Sequence, residues 1–341
     1  VHDHHDLLRV CVSSAGNDHR LGANEAPPAI ISIFTGEQLA DVFTQLQNGG
    51  AKSSKKGGLL GLGVNVLPHF PKDAGDRNRT SPFAFTGNKY EFRAVGSSQS
   101  VSFPIVVLNT IVADAIDAMS DALEHELKGG LDIEAALAKV LKDTLKATSK
   151  IIFNGDGYSD DWQKEAKKRG LLNLKTTMDA LPYLSSEKNV RLFGKYNILS
   201  SREIESRKEI MIEQYFKTIN IEGETTEMMI RTMVIPGAVR YLNELVALAD
   251  RGKTIGMDVS GTQLTANEVN QTLNELIIAL GELSKQNAEL GGDDVHDKAH
   301  HVYTNVIPAM NAVRAKADKL EKLVADDYWP MPTYREMLFV R

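Results

Sequence analysis

Thr265-Ala-Asn-Glu-Val269, with Leu273, Leu276, Ile277, Leu280 and Leu283, and then Val306, Met310, Val313, Ala317, Leu320 and Val324, decide the architecture of this 341-residue chain. The second set alternates spacings of four and three, the period at which one face of a helix packs as a coiled-coil-like seam. The first set also lies on one helical face, and Gly291-Gly292 separates the two. The pattern predicts two long helices forming an antiparallel hairpin. Thr265-Ala-Asn-Glu268 has capping-box spacing and reads as the start of the first of them.

Outward from the hairpin, Ser200-Ser-Arg-Glu203 opens another long helix, which Pro236 should kink. Earlier helices are expected from the first-turn residue Pro104 to the stop at Gly129-Gly130, over 133–149, and over 160–169 with Gly170 as terminator. Before Phe103 the pattern changes. Residues 7–13, 29–34, 59–66 and 89–95 are short apolar runs bounded by turn residues, the mark of strands. Thr35-Gly-Glu-Gln38 has capping-box spacing and predicts a helix over 36–47, ended by Asn48-Gly-Gly. Residues 51–58 read as a flexible surface loop, and Gly57-Gly-Leu-Leu-Gly-Leu-Gly63 matches neither a dinucleotide fingerprint nor a P-loop. The chain shows no internal repeat. Its fold class is α+β.

The composition, 42% hydrophobic and 25% charged, is that of a globular protein. A net charge of −6 argues against a broad phosphate-binding surface and so against nucleic acid as a partner. No run is read as reaching the roughly 20 apolar residues of a membrane helix. The start, Val1-His-Asp-His-His-Asp6, has no signal-peptide core, and its histidines read as a disordered end or the tail of a helix. The lone Cys11, within an apolar run, reads as a packed small side chain and fits a reducing, cytoplasmic setting.

Three segments carry candidate chemistry. In a strand over Lys89-Tyr-Glu-Phe-Arg93, Lys89, Glu91 and Arg93 share one face, and Tyr90 and Phe92 supply the opposite, core-facing one. The charged face fits a solvated outer strand with cross-strand ion pairs. It equally fits a site where a carboxylate holds a divalent cation and the cations hold anionic groups. Asp76-Arg-Asn-Arg79 puts two guanidiniums, suited to phosphate, in a loop. His19-Arg-Leu-Gly-Ala-Asn-Glu25-Ala-Pro-Pro28 joins a mobile middle to a rigid exit, so Glu25 could sit at the tip of a gate. His296, His300 and His301 with Asp293, Asp294 and Asp297 fit either a metal site or a solvated helix start.

Taken in order, Arg20-Leu-Gly-Ala-Asn-Glu-Ala-Pro-Pro28, Arg77-Asn-Arg79 and Lys89-Tyr-Glu-Phe-Arg93 resemble the second half of a glutamine synthetase active site. The resemblance to the type-III branch extends through Ser13-Ser-Ala-Gly-Asn-Asp18, residues 78–88, Lys217-Thr-Ile-Asn-Ile221 and Asp327-Tyr-Trp-Pro-Met-Pro-Thr-Tyr334. It implies that residues 1–128 are the C-terminal part of an α/β catalytic barrel with antiparallel strands, and that 129–341 are a helical C-terminal region. The implied reaction is ATP-dependent ligation of ammonia to glutamate through a γ-glutamyl phosphate. Glu91 would ligate a divalent metal, Mg²⁺ or Mn²⁺. Arg20 and Arg93 would bind glutamate, and Arg79 would stabilise the γ-phosphoryl group. Lys89 would sit at the nucleotide phosphates, and Glu25 would close over glutamate and take a proton from ammonia.

The sequence departs from the better-known members in having Lys89 where many carry Arg, and Ala84 where they carry a further Arg. The remaining metal-binding carboxylates of the family lie upstream of the flap. The chain, which starts six residues before a strand-like run, therefore reads as truncated and inactive alone. The resemblance further implies a homo-oligomer of two stacked hexameric rings for the whole protein. The reading of another class is a non-catalytic assembly fragment of the same family.

Overall fold

The computed structural model describes residues 1–22, 26, 28–50, 59–60, 70–71 and 78–339, in two compact units, Val1–Met211 and Ile212–Arg341. The first opens with α1 (His5–Val10) and α2 (Ala15–Arg20). The strand expected over 7–13 is therefore a helix and turn. Leu7, Leu8, Val10 and Val12 are all fully buried. A short run buried on every side carries no period to tell strand from helix, and a helical turn pairs its own backbone without a neighbouring strand. Cys11 is buried as expected, and its thiol donates to Leu8 O at 3.2 Å. The start of the chain is packed, not disordered: His4 is buried, with Nε2 3.1 Å from Asp114 Oδ2.

β1 (Ile33–Phe34) leads into α3 (Gly36–Gln47), whose bounds match the sequence reading. Its cap does not. The Thr35 hydroxyl gives no cap and donates instead to Asn154 Oδ1, which also accepts from the N–H groups of Thr35 and Gly36 at 2.9 and 3.1 Å. A residue more than a hundred positions away thus satisfies the helix start. β2 (Leu59–Leu60) and β3 (Phe70–Pro71) pair antiparallel; the rest of the expected loop and strand over 51–66 lies outside the described residues. β4 (Phe83–Phe85) and β5 (Tyr90–Phe92) form a hairpin, and β1 joins β4 in parallel, giving the order β1-β4-β5. The sheet is mixed, which corrects the all-antiparallel expectation.

After these strands the unit is helical: α4 (Ser102–Lys128), α5 (Ile133–Thr148), α6 (Asp160–Lys168), α7 (Thr177–Ala180) and α8 (Glu187–Lys195). Gly130 (φ +95°) and Gly170 (φ +72°) take up left-handed conformations just beyond α4 and α6, as terminators do. α4 is long and apolar enough to cross a membrane by length and composition, contrary to the sequence reading. It buries Pro104, Val107, Thr110 and Ile111 in its first turns, but only 22% of its apolar window is buried, and Val112 and Ile116 are among the side chains left exposed. Its Asp114 and Asp117 pair with Lys195 at 3.0 and 3.3 Å. Ile30, Ile151, Trp162, Ala166 and Leu171 form a buried cluster, with Phe153 stacked on Trp162 at 3.8 Å. Each of the larger aliphatic side chains here, Ile30, Ile151 and Leu171, contributes roughly 1.5–3 kcal/mol by its burial.

α9 (Ser201–Met229) starts from a capping box formed as the sequence predicts: Glu203 accepts from the Ser200 N–H and hydroxyl, and its own N–H donates to Ser200 Oγ. The kink expected at Pro236 takes the form of a π turn over Ile230–Val234, just before α10 (Ile235–Thr254). Proline offers no N–H and clashes with the carbonyl four residues back, so the ladder steps to a wider ring there, with Ile235 N–H donating to Ile230 O.

In the second unit, α11 (Ser260–Glu289) begins five residues before the expected start, because Asp258 Oδ1 accepts from Ser260 N–H and Thr265 back-bonds to Gly261 O inside the helix. Past Gly291-Gly292, α12 (Val295–His301) continues through a second π turn, Val302–Val306, into α13 (Ile307–Glu321), again just before a proline, Pro308. The hairpin is antiparallel. His301 Nε2 lies 2.8 Å from Gln286 O, Lys316 2.7 Å from Glu275 and Lys319 3.6 Å from Glu268, one series rising as the other falls. Val269, Leu273, Leu276, Leu280 and Leu283 meet Val306, Val313, Ala317, Leu320 and Val324 as buried residues, whereas Ile277 is exposed.

Candidate functional site

β5 alternates as a strand must, and its charged face is a chain of ion pairs. Lys89 Nζ lies 3.3 Å from Glu91 Oε1, and Arg93 Nε 3.2 Å from Glu91 Oε2. Side-chain exposure falls along the row, from 65% at Lys89 through 33% at Glu91 to 19% at Arg93. Lys89 therefore reaches into solvent while Arg93 is anchored. The Lys89 ammonium, followed by the Arg93 guanidinium, holds the Glu91 carboxyl below its ordinary pKa. The opposite face packs only in part. Tyr90 and Phe92 lie against Phe83 at 5.9 and 5.6 Å, yet Tyr90 is exposed, which corrects the core-facing expectation for it. Tyr90 lines an open cavity shared with Met119 of α4 and Leu145 of α5 instead of a closed core.

Arg93 is the hub. Its N–H donates to Pro82 O at 2.8 Å, and its Nη1 donates to Asn78 O at 2.9 Å. The loop carrying Arg79 is thereby tied to β5. Asn78 adopts φ +26°, a conformation Asn tolerates better than most residues, and its Oδ1 accepts from the N–H and hydroxyl of Thr80 at 3.1 and 2.6 Å. Thr80 Oγ1 in turn accepts from Gly157 N–H at 2.8 Å. Arg79 projects from this turn as an exposed residue. Arg77 and Glu25 lie outside the described residues.

Arg20 approaches from the end of α2. Its Nη1 donates to Asn17 Oδ1 at 3.0 Å and to Ala94 O at 3.3 Å, and its Nη2 donates to Arg93 O at 3.2 Å. α2 is fixed from beneath by Ser14, which caps it, and by Asp18, whose carboxylate accepts from the Thr177 N–H and hydroxyl and pairs with the buried Arg9. Arg20 and the turn carrying Arg79, far from β5 in sequence, are thus tied to the Lys89–Glu91–Arg93 row through the Arg93 backbone and side chain. Sequence reasoning passed over Asn17, Thr80 and Gly157, which do the tying. Asn17 and Thr80 lie within the quoted segments, but their bonds to Ala94 and Gly157 span about 77 residues and leave no local signal.

The histidine-rich start of α12 is a capped helix end: Asp294 Oδ1 accepts from His296 N–H at 2.7 Å, and His301 is buried on the Gln286 carbonyl. Among the described residues no group of three His, Cys, Asp or Glu side chains is placed to hold a metal ion.

Comparison with known proteins gives this cluster its context. The model of the glutamine synthetase C-terminal domain matches residues 136–253. A type-3 glutamine synthetase of Dictyostelium discoideum is 44% identical over 99% of this chain and 47% of its own length. The chain is related to the glutamine synthetases. Glutamine synthetases of Bacteroides fragilis (strain YCH46) and Butyrivibrio fibrisolvens are 34% and 36% identical, over 100% and 99% of this chain and 48% of each relative. The chain spans about half the length of these curated relatives. The domain match covers α5 to α10 and leaves out the strand-borne cluster, whereas the three glutamine synthetase alignments take in nearly the whole chain, cluster included.

Proposed function

We propose that this chain supplies one part of the catalytic apparatus of a glutamate–ammonia ligase, and that the cluster around Arg93 is its share of the active site. The observation that carries this reading is the convergence of Arg20, the Asn78–Arg79 loop, Lys89 and Glu91 on Arg93. The ligation needs such a set, because a carboxylate must attack the terminal phosphoryl group of ATP while cations offset the charge that builds in the transition state. In the proposed arrangement Arg20 and Arg93 hold glutamate, Arg79 lies toward the γ-phosphoryl group and Lys89 toward the nucleotide phosphates. Of the five N–H donors of Arg20, three are spent on the Asn17 side chain and the carbonyls of Arg93 and Ala94, which leaves Nε and one Nη2 hydrogen to face a substrate carboxylate. Glu25, on the loop after α2, closes the site and takes the proton released as ammonia adds.

ATP and Mg²⁺ or Mn²⁺ belong to the same proposal. Glu91 fits as one oxygen ligand, but both of its oxygens are engaged, by Lys89 and Arg93, and among the described residues it belongs to no group of three or more metal-ligating side chains. A hard divalent cation needs several such oxygens. The described residues do not make a complete metal site, and its completion falls to groups outside them. In this reading β1, β4 and β5 belong to a catalytic barrel whose C-terminal part is residues 1–128, with 129–341 as the helical region. The whole protein assembles as stacked hexameric rings in the cytoplasm.

A second reading, an assembly piece without chemistry of its own, is favoured by the incomplete metal set. Steady-state assay with ATP, Mg²⁺, glutamate and ammonia separates the two. The 341 residues alone are expected to stay below about 1 s⁻¹, the lower end of ordinary turnover. In the intact gene product Glu91→Gln is expected to weaken metal binding and cut kcat, and Glu25→Ala to leave metal and ATP binding intact while slowing ammonia capture. If neither substitution changes turnover, the ligase reading of this cluster is wrong.

A further inference from the structure

We infer that Asn17 is a positioning residue, the clamp that aims the Arg20 guanidinium and fixes it to the end of β5. The inference rests on the proposed role of Arg20 as a glutamate-binding residue and goes beyond it. Asn17 is only 2% exposed, and its carboxamide spends every polar atom on the candidate site and its support. Nδ2 donates to Val12 O at 2.7 Å and to Ala94 O at 2.8 Å. Oδ1 accepts from Arg20 Nη1 at 3.0 Å. One planar group thus joins the end of α1, the residue after Arg93, and a guanidinium.

The geometry needs an amide. Two donors must face two carbonyls while one acceptor faces a cation, and among the side chains only Asn and Gln carry that set. Asn has the shorter stem, and the surroundings leave little room for a longer one. A Cβ added at Gly96 would already come within 3.4 Å of Asn17 Oδ1. Gln99 repeats the device on the other side, with Nε2 donating to Val12 O at 3.2 Å and Oε1 accepting from Gly96 N–H at 2.9 Å. The stretch after Arg93 is therefore stapled twice to α1. Only the Asn17 staple also reaches Arg20, and this separates its role from plain support of the fold.

Arginine carries several rotatable bonds, and without an acceptor at Asn17 Oδ1 its guanidinium keeps only the two longer contacts, to the Ala94 and Arg93 carbonyls at 3.3 and 3.2 Å, and loses the one side chain that holds it. Holding the fork in place before substrate arrives removes an ordering cost from binding. The effect should fall on glutamate, which the proposal places on Arg20, and not on ATP, which it places on Arg79 and Lys89.

The test is a comparison of Asn17→Asp, Asn17→Ala and Arg20→Ala in the intact gene product, reading KM for glutamate, KM for ATP, and Tm. Asn17→Asp keeps the shape and the acceptor for Arg20 but turns a carboxylate toward the Val12 and Ala94 carbonyls; Asn17→Ala removes the acceptor. Asn17→Ala is expected to raise the glutamate KM about tenfold or more, the scale of a lost charge-assisted hydrogen bond, and Asn17→Asp, which keeps the acceptor, to raise it less, with ATP KM within about twofold in both. Equal rises in both KM values, or activity lost only in step with the folded fraction, would make Asn17 merely structural and overturn the inference. If Arg20→Ala itself leaves the glutamate KM unchanged, the glutamate reading of Arg20 fails instead. Should the Asn17 variants not fold, ¹⁵N NMR of the arginine side chains in the unsubstituted protein decides. Slow rotation of the Arg20 guanidinium, with a shift on adding glutamate, is expected; a freely rotating Arg20 would end the proposal.

Discussion

Arg9 is 1% exposed, and its burial underlies the whole candidate site. Its Nε donates to Leu174 O at 2.7 Å, Nη1 to Ser13 Oγ at 2.9 Å, and Nη2 to Lys175 O and Asp18 Oδ1, both at 3.3 Å. Truncation by Arg9→Ala leaves the Asp18 carboxylate, itself only 12% exposed, without its cation, and leaves two carbonyls without their donor. Breaking a buried ion pair from one side costs roughly 3–5 kcal/mol. Each stranded carbonyl adds on the order of 1 kcal/mol, partly offset by water entering the space. The expected loss is about 4 kcal/mol, a large share of the roughly 5–15 kcal/mol that holds a domain together. Urea unfolding followed by Trp162 fluorescence measures it, with Trp329→Phe to leave a single probe in this unit. Burial first of all raises the pKa of Asp18, against the opposing Thr177 N–H and Arg9. A carboxyl so raised contributes its stability below the unfolded pKa and loses it as pH rises through the folded one. Without Arg9 the pKa climbs further, so the cost of Arg9→Ala should be greatest near neutrality and shrink on acidification toward about pH 4. A loss under about 1 kcal/mol with no dependence on pH would refute the role given to this pair.

Three other outcomes follow from the packing. A Cβ at Gly157 would stand 2.4 Å from Thr80 O, backbone that cannot swing aside, so Gly157→Ala should displace the turn carrying Arg79 and lower stability by roughly 1–3 kcal/mol; an unchanged Tm would count against that contact. Leu320 is fully buried within the α11–α13 hairpin, whereas Ile278 on the same hairpin is 75% exposed. Leu320→Asp should therefore unfold the second unit, and Ile278→Asp should leave its circular dichroism and Tm intact; a folded but dissociated Leu320→Asp protein would place the seam between subunits. Lys89→Ala should raise the Glu91 carboxyl toward its ordinary pKa, since Lys89 is the foremost cause of its depression; a ¹³C titration that does not move would mean that Arg93 alone sets it.

The sequence by itself determined most helix boundaries, because their signals are local. Asn48-Gly-Gly ends α3, Gly129-Gly130 ends α4, the Ser200–Glu203 box opens α9, and the four-three spacing of 306–324 lays out the buried face of α13. It also placed Lys89, Glu91 and Arg93 on one face, since alternation is built into any strand. Local signals misled where another partner took over or burial erased the pattern. Asn154 caps α3 in place of Thr35, Asp258 moves the start of α11 ahead of Thr265, and α1 replaces a strand-like run because burial on all sides erases the period. The candidate site divides along the same line. Which residue types could meet an anionic substrate was legible in the segments that carry them. That Arg20 bends back onto the Arg93 carbonyl, that Asn17 links Val12 to Ala94, and that Tyr90 stands exposed were decided only by the tertiary structure, because a hydrogen bond across more than seventy residues depends on where two separate elements come to rest, and neither element encodes that alone.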